Sequence, residues 1–314
     1  MKGLVFETRA PGIEAAPNRA DIACFIGLAE LRPDLAIPQD LALYLEQEGW
    51  WPGASTTGAQ SVPSLYNLPL PIASWARFDA LFAWNQRPYG VGSAPRTSGA
   101  SYLGAAVRSF FAQGGRSCYV ISLAPPLPLA ADRASRDALL SNLVPIAAGQ
   151  RANRGLWQGL EHLLGLPEVS FVALPDLAEL VSLYRDEAQD SLEIPPSMPQ
   201  FVACAQQETA PDQASRVVQL TAPACTDAEY LGWRAVIHRA ALFLASYRRD
   251  VQLLAALPLP QAQSSAASGV FAFMHQQGWL SGSLAAQSCP ELAAAATEET
   301  MAACSIASAF VQLA

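Results

Sequence analysis

SYLGAAVRSFFAQGGRSCYVISL, residues 101–123, reads as one helix, one sharp stop and one buried strand. Ser101 is placed to cap the helix by accepting from a free backbone N–H. Leu103, Val107, Phe110 and Phe111 recur at helical spacing and give one apolar face. Gly114-Gly115 ends the helix, because glycine enters the left-handed region without a Cβ clash. The run CYVISL then offers a short apolar strand rich in β-formers.

Similar strands lie on both sides. Residues 21–29, DIACFIGLA, read as a buried strand, as do 169–174, VSFVAL, stopped by Pro175-Asp176, and 250–257, ended by Pro258 and Pro260. Strand, helix, strand at this spacing predicts an α/β fold: a central, mostly parallel sheet with flanking helices. Residues 74–84, SWARFDALFAW, predict an amphipathic helix with Ser74 as N-cap and Trp75, Phe78, Leu81 and Phe82 inward. Further helices are expected around 136–146, 157–164 and 266–277. Thr226 and Glu229 form a capping box that opens the longest helix, to about Tyr247, with Leu231, Ala235, His238, Leu242 and Ala245 along one stripe. Arg248 and Arg249 at its end suit the helix dipole.

The remaining stretches organise this body, which is read as 21–286. Residues 1–20 form an N-terminal arm with a β-prone piece, Leu4-Val5-Phe6, and residues 287–314 a C-terminal alanine-rich helix and tail. Phe310 and Val311 belong to a second β-prone terminal piece. Each piece is either an edge strand of this chain or an arm that pairs with another subunit. Residues 30–71 read as a long surface excursion, and 185–223 as an irregular, proline-bearing insertion. Within the excursion, Trp50 and Trp51 are either a loop anchor tucked into the core or a contact for a partner.

Composition limits the function. The chain has 314 residues, 51% of them hydrophobic, enough for a sizeable core. A net charge of −8 argues against broad nucleic-acid binding. Apolar runs fall short of the ~20 residues a membrane span needs, and the N-terminus has too short an apolar core for a secretory signal. A soluble, cytosolic protein is therefore expected. Lys2 is the only lysine, so a lysine of P-loop or Schiff-base type is excluded from the body of the fold. The six cysteines form no C-x-x-C and no zinc spacing, and read as reduced structural thiols. G-x-S-x-G and G-x-G-x-x-G are both absent. His162, His238 and His275 are scattered and read as structural or surface histidines, and Asp176 follows a strand end, where α/β enzymes often keep a functional acid, but after Pro175 it reads as a turn residue. No catalytic residue, cofactor site or metal site is assigned.

Three segments together resemble the tail sheath proteins of contractile phage tails and bacterial contractile injection systems. They are the F-I-G strand of 21–29, the pattern Ser74-Trp75-x-x-Phe78-x-x-Leu81-Phe82, and Tyr102-Leu103-x-x-Ala106-Val107-x-x-Phe110-Phe111-x-x-Gly114-Gly115-x-x-Cys118-Tyr119-Val120. Weaker agreement extends to 167–176 and to Ser265-x-x-x-Gly269-Val270-x-Ala272 with Gly278-Trp279. The family's Ala-Arg-x-Asp and its C-terminal domain with a W-G-A-R-T-like strand have no counterpart, so the resemblance implies a short form.

The resemblance implies a non-enzymatic subunit, without cofactor, that assembles with copies of itself or sheath paralogues into rings around an inner tube. Baseplate proteins are further expected partners; nucleic acid and membrane insertion are not expected. Assembly contacts are expected at Leu4, Val5, Phe6, Phe310, Val311, Trp50 and Trp51. The alternatives are a baseplate or cap adaptor ring of the same machine, and an α/β hydrolase-like enzyme with a polar pocket near Gly27, Leu123, Asp176 and Pro258.

Overall fold

A computed structural model describes residues 22–33, 35–51, 64–89, 97–145, 154–183 and 222–279. In chain order the elements are β1 (Ala23–Leu28), α1 (Gln39–Gln47), β2 (Leu70–Ile72), α2 (Trp75–Leu81), β3 (Arg87–Tyr89), β4 (Thr97–Gly99), α3 (Tyr102–Ala112), β5 (Cys118–Ala124) and α4 (Arg133–Leu143). Then come a 3-10 segment Gly159–Gly165, β6 (Phe171–Leu174), α5 (Leu177–Val181), β7 (Ala224–Cys225), α6 (Asp227–Tyr247), β8 (Gln252–Ala255), β9 (Leu259–Pro260) and α7 (Val270–Gln276). The fold class is α/β, as the apolar runs predict.

Among the described residues the main sheet has five strands in the order β2-β5-β1-β6-β8. β5, β1, β6 and β8 run parallel, and β2 closes one edge antiparallel. Taken by chain position, the parallel strands lie second, first, third, fourth, a doubly wound order. The connection from β1 turns toward β5, and the one from β6 turns the opposite way, toward β8. Right-handed crossovers in opposite directions put α3 and α6 on opposite faces of the sheet. Phe25 of β1 meets Phe110 of α3 edge-on at 5.6 Å, while α5 packs against both α4 and α6.

The local signals that build this body are the expected ones. The Ser101 hydroxyl accepts from the Gly104 N–H, the Ser74 hydroxyl from the Arg77 N–H, and Thr226 and Glu229 form a reciprocal box. Each such cap is worth about 1 kcal/mol. Gly114 takes φ +91°, which ends α3 and turns the chain into β5. α4 starts three residues earlier than expected, because the Asp132 carboxylate accepts from the Ser135 N–H.

Two readings are corrected. The stretch 30–71 is no mere surface excursion in its described parts: Leu41, Leu45, Trp50, Leu65, Leu68 and Leu70 are buried in the core. Prolines broke its periodicity, yet α1 and β2 still deliver apolar side chains to the core. On α6, the stripe through Leu231, Ala235, His238, Leu242 and Ala245 faces outward. The packed face is instead the neighbouring stripe of Tyr230, Trp233, Ile237, Ala240 and Leu244. Its aromatic rings bury more area than the leucines could, and area decides which side of a helix turns inward.

Leu4, Val5, Phe6, Phe310 and Val311 lie outside the described residues, as do the alanine-rich C-terminal stretch and residues 185–221. No described helix is long and apolar enough to cross a membrane.

Candidate functional site

In a doubly wound sheet, ligands bind beyond the carboxyl ends of the strands, where neighbouring connections diverge. Here that point lies between β1 and β6, and it is occupied by side chains of the protein itself. β6 runs out through Pro175 to Asp176, whose carboxyl is buried. Asp176 Oδ2 accepts from the backbone N–H of Leu28 at 2.9 Å and so ties the end of β1 to the end of β6. Gly27 makes room for it: a Cβ there would stand 2.1 Å from Oδ2. Asp176 Oδ1 is buried and has no hydrogen-bond partner among the described residues. Burial pushes the Asp176 carboxyl up to about 7, the Glu179 carboxylate adds to this, and the Leu28 N–H and Arg87 oppose it.

Beside it lies a buried ion pair. Arg87, from β3, holds the Glu179 carboxylate of α5 with both terminal nitrogens, Nη1 reaching Oε2 at 2.7 Å. The guanidinium also lies over the Tyr102 ring at 5.6 Å, at the start of α3. Arg136 of α4 is spent on main chain: it donates to the carbonyls of Glu179 at 2.6 Å, Leu129 at 2.8 Å and Ala131 at 3.2 Å. On β5, the Ser122 hydroxyl donates to the Ala29 carbonyl at 2.7 Å and faces the Ala29 N–H at 3.0 Å. These contacts join β1, β3, β5, α4 and α5 around one edge of the sheet.

The arrangement is suited to holding elements together. Arg87 and Arg136 fix carboxylate and carbonyl oxygens at the ends of α5 and of the loop before α4. No nucleophile with an adjacent base occurs within this cluster. Of the four residues expected around a pocket, Gly27 and Asp176 are brought into contact. Leu123 is buried in β5, and the Pro258 carbonyl is taken by the Tyr230 hydroxyl at 2.8 Å. The turn reading of Asp176 therefore understates it. Its burial and its contact with β1, 148 positions earlier, left no mark in the local sequence. The one signal was its position just after a strand end. Arg87 and Glu179 had no signal, because a buried ion pair between distant positions has no spacing rule.

Of the two tryptophans expected at contacts, Trp50 is wholly buried and takes the anchor reading. Its ring lies 5.7 Å from that of Trp157 and 5.5 Å from His162, with the Arg154 guanidinium 5.1 Å above it. Trp51 is half-buried and packs against the same core. His162 Nδ1–H donates to the Gly159 carbonyl at 3.0 Å. Burial drives the His162 imidazole down to about 4, against a smaller upward pull from the Gly159 carbonyl. His238 is exposed on α6, far from any acid–base partner of the cluster in sequence.

Cys24, Cys118 and Cys225 are buried free thiols, and burial pushes the Cys118 thiol up to about 12. Among the described residues no group of three or more His, Cys, Asp and Glu is placed to hold a metal ion. No protein-family model matches the sequence, and no curated protein matches it either.

Proposed function

We propose that this chain is a non-enzymatic structural subunit of a contractile injection system or phage-like tail, assembling into a sheath or sheath-like ring around an inner tube. The observation that carries the reading is where the three sheath-like segments lie. They form one packed unit: β1 pairs with β5 from Ala23↔Cys118 onward, and α3 lies on β1. Around α2, the Ala83 N–H donates to the Glu30 carbonyl at 2.8 Å and the Ser101 N–H to the Trp84 carbonyl at 2.7 Å. The residues that carry the resemblance are thus ones that pack together as one body. The polar groups at the sheet's carboxyl edge support the same reading, since they bind one another across five elements. A subunit that transmits force needs such a body.

A second reading, an α/β hydrolase-like enzyme, is favoured by one feature: the buried, proton-holding carboxyl of Asp176 at the divergence of the connections. Electron microscopy and light scattering of the purified full chain separate these readings. Rings or helical polymers are expected. Single rings that never stack would make it an adaptor of the same machine. A monomer that stays dispersed at high concentration, alone and with a co-expressed tube protein, would overturn the structural reading.

A further inference from the structure

Trp50 and Trp157 form a corner that the protein fills with a cation of its own. Gly49, just past α1, takes φ +68°, and the Trp50 N–H then donates to the Leu45 carbonyl at 2.9 Å. The chain is thereby folded back against the helix it has just left. The other wall comes from the 3-10 turn Arg154–Leu156, closed by the Trp157 N–H on the Arg154 carbonyl at 3.1 Å. In a turn of this kind side chains three apart stand one above the other, so Arg154 and Trp157 reach the same place. The two indoles lie 66° apart in plane, with centroids separated by 5.7 Å. Gly165 backs the corner: a Cβ there would stand 2.5 Å from Trp50 Cη2 and 3.2 Å from Trp157 Cζ3, so glycine is what leaves both rings in place.

Arg154 sits in this corner. Its Cζ is 5.1 Å from the centroid of Trp50 and 6.0 Å from that of Trp157, within cation–π reach of both. Nη1 donates to the Glu48 carbonyl at 3.0 Å and to the Glu48 carboxylate at 3.3 Å. Two angled indoles with a carboxylate and a carbonyl at the lip are suited to a planar cation. The rings take the face of a guanidinium and Glu48 takes its edge, whereas an ammonium offers charge without a plane.

The hold of Arg154 on the corner is weak. Its side chain is 39% exposed and that of Glu48 is 48% exposed, and an ion pair in such a position contributes little. The rim suits a protein partner: Trp157 is half-buried, and Leu156 beside it is 58% exposed. Tryptophan and arginine are the residue types that dominate interface energies. The net charge of −8 favours the approach of cationic partners over anionic ones.

We propose that Trp50, Trp157 and Glu48 form a guanidinium site that Arg154 keeps closed and that takes an arginine side chain of a partner protein in its place. The exchange is like for like: Glu48 keeps a cation, the indoles keep a guanidinium over them, and Arg154 passes to solvent. The site does not depend on the assembly reading above.

The full chain carrying Arg154→Ala, with the corner vacated, tests this. It is titrated with N-acetyl-arginine methylamide, with the neutral citrulline analogue of the same shape and with the lysine analogue, while tryptophan fluorescence is followed. Arg154→Gln, which retains most of the stem, is measured beside it. Both variants are expected to show a saturable change with the arginine probe. The parent should bind it roughly tenfold more weakly or worse, because only its open fraction is competent. The lysine analogue should bind several-fold more weakly than the arginine probe and the citrulline analogue not at all. Adding Glu48→Gln or Trp157→Leu to Arg154→Ala should weaken the arginine probe several-fold. No saturable change in either variant, equal binding to parent and variants, or binding of citrulline as well as arginine would each overturn the proposal. Lysine binding as tight as arginine would overturn the guanidinium assignment. Loss of the folded circular dichroism spectrum in both variants would also overturn it, since Arg154 would then be a structural cation and not a displaceable occupant.

Discussion

Replacing Asp176 by Asn removes the charge from the carboxyl edge of the sheet while keeping an oxygen for the Leu28 N–H. The carboxyl is held at about 7 in the folded protein, against 3.8 for an ordinary aspartate. An acid whose folded value is raised is bound to its proton more tightly when folded. Its contribution to stability is therefore greatest at low pH and is lost as pH rises from about 4 to about 7. Each unit in that window is worth about 1.4 kcal/mol, which makes the full loss roughly 4 kcal/mol, with roughly 3 kcal/mol of it between about pH 5 and pH 8. The amide cannot ionise, so the variant escapes this loss. Its new N–H donors at the Oδ1 position add a cost of about 1–3 kcal/mol, but that cost does not change with pH. Urea titrations of both proteins across this range should show the variant gaining on the parent by roughly 3 kcal/mol from about pH 5 to pH 8, then levelling. A difference between the two proteins that stays constant with pH would refute the assignment of a protonated buried carboxyl.

The same packing has other consequences. Arg87→Met leaves the Glu179 carboxylate buried without its partner and should cost about 3–5 kcal/mol in chemical denaturation, whereas Arg87→Met with Glu179→Leu should recover most of that loss. His162, held at about 4 by burial, gives stability that is lost as pH falls from about 6.5 toward 4. Its slope runs opposite to that of Asp176, so the parent should have a shallower acid limb than Asp176→Asn, and His162→Gln should flatten that limb; differential scanning calorimetry at several pH values reads both.

The parallel strands were legible because each is a short, mostly apolar run bracketed by Gly, Pro or polar residues, although β8, expected to be buried, is so only on alternate residues, with Gln252 and Leu254 exposed. Helix starts were legible because Ser74, Ser101 and Thr226 are capping residue types, each set directly before an apolar-periodic run. β2, β3 and β9 were not, since strands of two or three residues containing Pro71, Pro88 and Pro260 carry no alternation to detect. The inner face of α6 was misread because two stripes compete there. A count of aliphatic residues at helical spacing favours Leu231 and Leu242, while burial rewards the larger Tyr230 and Trp233. Within the cluster, only Asp176 had a positional hint. The Arg87–Glu179 pair depends on elements brought together by the sheet, and no local pattern encodes it.

Among the described residues the central strand is also the first of the sheet to be synthesised. β1 pairs with β5 across 95 residues, as Ala23 does with Cys118, and with β6 across 148, as Ala23 does with Phe171. At ordinary translation speeds an unpaired, wholly apolar FIGL segment must wait on the order of ten seconds outside the ribosome before β5 can reach it. A circular permutant opening just before β5 would let β1 emerge after both its partners and remove the wait.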